Sequence, residues 1–191
     1  ASPFNVTATA SDTGSGVARV TLYFRGPGST GWQSVSTINA PDPYTWSFAP
    51  SQGDGTYYFD TVACDNANNC EAAPSGSTSL YSTIYDASAP TSSVTVPGGP
   101  INASPIGLNW SANGATSGLI ANGVTLWYNH NGGVWTADGS STNSAGAQTA
   151  NGTFGFNPPN GDGTYCFQTI ATDRAGNVVA NLVDLGVGTV H

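Results

Sequence analysis

Three cysteines are the residues of this 191-residue chain best equipped for covalent chemistry. Cys64 and Cys70 bracket Asp65-Asn66-Ala67-Asn68-Asn69, a run that reads as a hairpin turn. A disulfide across it would staple a turn that contains no glycine, and would place the chain in an oxidising compartment. So short a loop removes little chain entropy, so the bond would guard local geometry more than global stability. Cys166 is left over by this pairing. On the outer face of its strand it is expected as an unpaired, half-covered thiol, with an intermolecular bridge as the alternative.

Nucleophilic catalysis needs a base beside a Ser or Cys, and the sequence offers two histidines. His130 lies in Tyr-Asn-His-Asn-Gly-Gly, a turn sequence with no neighbouring carboxylate, and His191 is the last residue. These histidines and three cysteines lack the spacing of a zinc site. No loop carries carboxylates at alternate positions, which disfavours calcium at Asp65 or Asp86. The other acids form no recognisable pair for sugar hydrolysis, and most sit in turns where Asp bonds its own backbone. No catalytic residue, metal or cofactor is expected. The chain reads as a non-enzyme.

Charged residues make up 7% of the chain, with a net charge of −8 from three arginines against eleven acids. A polyanion needs clustered cations, whereas Arg19, Arg25 and Arg174 are scattered singly, so nucleic acid is excluded as a partner. The absence of lysine forbids a Lys–Asn isopeptide crosslink and leaves trypsin only the arginines. No apolar run is long enough to insert into a membrane as a helix. No signal peptide opens the chain, and residue 1 is Ala, which fits a processed or excerpted polypeptide whose export is inferred.

Four sequons stand at Asn5, Asn102, Asn109 and Asn151, each read as outward-facing or near a turn and open to glycosylation. Alternation also places Tyr23, Tyr58 and Val62 on one outer sheet face, matched by Trp127, Cys166 and Ile170 later in the chain. Such a patch fits docking on a neighbour or a glycan; the competing reading is cross-strand packing on a half-exposed sheet.

The elements that must position these residues are strands. Period-two alternation marks 4–8, 17–24, 44–48, 56–63 and 79–85, then 106–110, 124–128, 152–156, 164–171 and 181–187. Helix signals are nearly absent. The two series correspond: Val20-Thr21-Leu22 matches Val124-Thr125-Leu126, Trp46-Ser47-Phe48 matches Phe154-Gly155-Phe156, and Ala8 matches an inward-facing Trp110.

The strongest repeat is Gly-Asp-Gly-Thr-Tyr, at 53–57 and again at 161–165. Its Asp-Gly turns the chain into a strand, and its tyrosine resembles a tyrosine corner, with the hydroxyl bonding back to the main chain. Period two then puts Tyr57, Phe59, Thr61 and Ala63 in the core. Asp-Asn-Ala-Asn-Asn and Asp-Arg-Ala-Gly-Asn follow as hairpin turns in which Asn or Gly tolerates positive φ.

With these phrases the chain resembles the bacterial and archaeal immunoglobulin-like repeats, related in shape to fibronectin type III modules and found in tandem in cell-surface and secreted proteins. The resemblance implies an all-β fold of two tandem antiparallel sandwiches, residues 1–86 and 87–191, at the extracellular surface. It is specific for fold and weak for function, since such modules serve adhesins, filaments and secreted enzymes alike.

Ala1-Ser2-Pro3 aligns with Ala103-Ser104-Pro105, and the strand and turn at 91–101 that open the second domain therefore have no counterpart in the first. Three explanations stand: a longer array, a strand donated by another molecule, or a domain that manages with fewer strands. The function expected is structural or adhesive, as a surface repeat or pilus-like filament subunit, with other copies, adjacent repeats or surface glycans as partners. The alternative is a carbohydrate-binding or spacer module of a secreted hydrolase.

Overall fold

The computed structural model describes residues 2–39, 41–76, 79, 81–179 and 186–190, and the described residues are all-β. The chain divides into two compact units, Ala1–Tyr85 and Asp86–His191.

In unit 1, β1 (Phe4–Ala8) pairs with β4 (Tyr44–Phe48). Opposite them β3 (Gln33–Asn39), β2 (Val17–Arg25), β5 (Gly55–Asp65) and β6 (Tyr81–Tyr85) form a four-stranded sheet in that order. All pairings are antiparallel. Alternation buries Val20, Leu22 and Phe24 from β2 against Tyr44, Trp46 and Phe48 from β4. Phe48 meets Phe24 and Phe59 edge-on, each at 5.0 Å between ring centroids.

Unit 2 repeats the plan with additions. Its smaller sheet is β12 (Thr149–Phe156), β9 (Ile106–Asn113) and β7 (Thr91–Thr95); the larger is β11 (Thr136–Ser140), β10 (Leu119–His130), β13 (Gly163–Asp173), β14 (Gly186–Val190) and β8 (Pro100–Ile101). Among the described residues, only β14 and β8 run parallel. Phe4↔Phe48 and Val6↔Trp46 in unit 1 correspond to Ile106↔Phe156 and Leu108↔Phe154 in unit 2. Trp110 is core, stacked on Phe154 at 5.6 Å.

Strand reading by alternation missed β3 and β11. Both flank their sheets and carry few apolar residues, Val35 and Ile38 in β3 among them, so the alternation signal there is weak. Residues 181–185 of the expected closing strand, and His191, lie outside the described residues; the strand there is β14.

Candidate functional site

Each repeated phrase builds one corner of its sandwich. Tyr57 Oη donates to Gly53 O at 3.0 Å and accepts from Gln52 N at 2.9 Å. Tyr165 does the same with Gly161 O at 3.0 Å and Asn160 N at 3.1 Å. Glycine is required before the strand: Gly55 has φ 143°, and a Cβ there would meet Pro27 Cγ at 2.6 Å.

After β5 and β13 the chain turns through an Asp-to-Asn clasp. Asn69 N and Nδ2 donate to the two oxygens of Asp65, both at 2.8 Å, and Asn177 does the same to Asp173. Asn68 and Gly176 take the positive φ, at 66° and 88°. The Asn69 donors hold the Asp65 carboxyl below the usual carboxylate range. A disulfide joins Cys64 to Cys70 across the first clasp, at a place where unit 2 pairs Thr172 with Val178. Cys166 is half-buried on β13 and outside that disulfide.

Asp86 is a residue whose role the sequence hid. It reads as linker, yet it is buried, with its carboxylate accepting from Ser117 N at 2.7 Å and Ser88 N at 3.0 Å. Its carbonyl accepts from Asn177 Nδ2 at 3.1 Å, so it completes the unit 2 clasp. Nothing in the local pattern distinguishes it from a solvated turn acid.

His130 also has a structural place. Its ring packs on Tyr165 at 4.6 Å between centroids and meets Asp162 O at 3.2 Å and Asn131 Nδ2 at 3.1 Å. Among the described residues no cluster of three metal-ligating side chains occurs. The sequon residues Asn5, Asn102, Asn109 and Asn151 are all exposed. On the outer face of β9 and β12, Thr153 Oγ1 donates to Asn109 Oδ1 at 2.8 Å.

The outer aromatic patch differs from its expected form. Val62 is 9% exposed and does not belong to an open surface, while Tyr23, Tyr58, Trp127 and Ile170 are half-buried. At one end of this face Arg25 lays its guanidinium over Tyr58 at 4.4 Å and over Trp32 at 5.6 Å. On the corresponding face of unit 2, Asn129, the counterpart of Arg25, and Gln168, the counterpart of Asp60, are 6% and 3% exposed. Asn129 Oδ1 and both amide atoms of Gln168 make no hydrogen bond.

A concavity lies in unit 1, along the edge of β1 away from β4. It encloses about 770 Å³ between Phe4, Val6 and Ala8 on one side and Phe59, Thr61 and Tyr81 on the other. In unit 2 the corresponding edge, that of β9, is occupied by β7.

Residues 1–60 match the family model of a bacterial Ig domain. Unit 1 therefore carries a bacterial Ig-like domain. The match runs from β1 into β5 and takes in the first tyrosine corner. No curated protein matches the chain. Bacterial Ig domains are generally non-catalytic structural modules, typical of surface or extracellular proteins. No helix among the described residues is long and apolar enough to cross a membrane.

Proposed function

We propose that this chain is a non-catalytic extracellular module whose tandem Ig-like units serve a structural or adhesive role, as repeats of a surface protein or subunits of a filament. The observation that carries the reading is duplication: two units with separate cores repeat one corner, one clasp and one strand order. A repeated module with its own core gives length and spacing, a mechanical property. The low-charge exterior, the Cys64–Cys70 disulfide and four exposed sequons fit a protein that works outside the cell.

The test is surface labelling of intact cells that make the protein, using an antibody to the folded chain. Labelling that grows only after permeabilisation would overturn the proposal. A second reading, sugar binding, is favoured by the unbonded Oδ1 of Asn129 and the unbonded amide of Gln168 on the same outer face as Trp127. A polysaccharide that quenches or shifts tryptophan emission in wild type but not in Trp127→Ala would favour it; no response across a polysaccharide panel would remove it.

A further inference from the structure

We infer that Asn151 carries an N-linked oligosaccharide added to the folded chain, with Asn102 a lesser site and Asn5 and Asn109 bare. The inference rests on the extracellular reading and deepens it by naming the residue that is modified there.

A sequon offers its asparagine amide only if an enzyme can grip the whole tripeptide, so the middle residue matters as much as the asparagine. In a strand that residue faces the opposite side. The middle residue of Asn109-Trp110-Ser111 is a core tryptophan, 7% exposed, and β9 is paired along both edges, with β12 and with β7. Lifting this segment would draw Trp110 out of the core. In Asn5-Val6-Thr7 the middle residue likewise packs against the core of unit 1. Asn151-Gly152-Thr153 is built differently: β12 pairs with β9 alone among the described residues, all three sequon residues are exposed, and Gly152 has no side chain to withdraw from Trp110. It can be lifted at small cost. Asn102-Ala103-Ser104 lies outside the strands and is exposed too, but Pro105 restricts the backbone of Ser104, which makes it the poorer acceptor.

The neighbours of Asn151 add a second argument. Thr153 stands opposite Asn109, so Asn109 and Asn151 are diagonal neighbours, about 7–8 Å apart. A bulky glycan on one shields the other. Around Asn151 the exposed face is Thr149, Thr153, Asn109, Ser111 and Asn113, uncharged groups that can hydrogen-bond sugar hydroxyls. The donor class is an oligosaccharide joined through its anomeric carbon to a lipid-linked phosphate. Asn151 Nδ2 bonds that carbon as the carbon's bond to the phosphate oxygen breaks; the phosphate leaves with the electron pair, and Nδ2 gives up one proton to a base of the transferring enzyme.

The experiment is peptide mass spectrometry of the protein purified from cells that make it, cut with chymotrypsin because the chain offers trypsin only three arginines. The peptide holding Asn151 should carry whole sugar increments, and those holding Asn5 and Asn109 should not. Thr153→Ala should remove the sugar while leaving the asparagine in place, and Thr153→Ser should keep it. Sugar absent from Asn151, more sugar on Asn102 than on Asn151, sugar on Asn5 or Asn109, or sugar that survives Thr153→Ala would overturn the inference. Surface labelling answers separately: labelling intact without sugar sinks the glycan alone, and sugar present with labelling only after permeabilisation sinks the functional reading alone.

Discussion

Unit 1 and unit 2 fasten the same corner with different chemistry. In unit 1 the hairpin after β5 is covalently stapled, its Asp65 clasp lies near solvent, and its cross-turn pair is a disulfide. In unit 2 the pair is Thr172 and Val178, the clasp acid Asp173 is fully buried, and Asn177 also reaches the backbone of Asp86. A buried carboxylate is costly unless its oxygens are bonded, so burial and hydrogen bonds do together in unit 2 what a covalent link does in unit 1.

A second contrast lies inside the smaller sheets. Ala8 stands opposite Tyr44 in unit 1, whereas Trp110 stands opposite Gly152 in unit 2. Each pair has one large and one small member, with the sizes exchanged between strands. A Cβ on Gly152 would approach Trp110 Nε1 to 3.0 Å, so the indole occupies the room that a side chain at 152 would take. Core volume is kept while the large ring changes strand.

The largest expected effect comes from breaking that exchange. Trp110→Ala should cost unit 2 about 3–5 kcal/mol by loss of burial and creation of a cavity. Adding Gly152→Tyr to it should recover on the order of 1 kcal/mol if the sizes are coupled. Urea unfolding of the single and double variants measures this, and simple additivity would refute the size exchange.

Next is the staple. Replacing Cys64 with Thr and Cys70 with Val gives unit 1 the pair that unit 2 uses, and should cost unit 1 about 2 kcal/mol because the closed loop is short. Hydrogen exchange resolved by unit should show unit 2 unchanged. A loss shared by both units would contradict separate fastening.

Tyr57→Phe and Tyr165→Phe should each cost about 1 kcal/mol, since each removes one hydroxyl bonded to two backbone groups. Equal losses in thermal melts sharpen the claim that the corners are equivalent; a loss in one alone breaks it.

The smallest effect is acid sensitivity of the unit 1 hairpin. The Asp65 pKa is depressed in the folded state by the Asn69 donors, so its contribution is full above the ordinary carboxylate value and is lost as pH falls through the folded value. Exchange protection of amides 66–70 in wild type should hold as pH passes the ordinary carboxylate value and fall only at lower pH. Asp65→Asn should flatten that fall, and an unchanged profile would remove Asp65 as its source.

Legibility followed the range of the interaction. The tyrosine corners, the positive φ at Asn68 and Gly176, the disulfide and most strand cores were readable, because turn residues and period-two alternation act within a few residues. β3 and β11 were not, since an edge strand with one sparse apolar face carries no periodic signal. The low exposure of Val62 was not legible, because alternation gives the face but not the packing on it. Asp86 was hidden for a similar reason: its partners, Ser117 and Asn177, arrive from turns far along the chain.

By itself, the sequence determined the alternation that makes strands, the residues that make turns, and the duplication that makes two sandwiches, all properties of short segments and their recurrence. Only the tertiary structure decided which acid is buried, which sheet face is closed, and that β7 covers the β9 edge while a groove runs beside β1. Those outcomes depend on which distant strand lies against each face, because burial belongs to pairs of surfaces and is written in neither one alone.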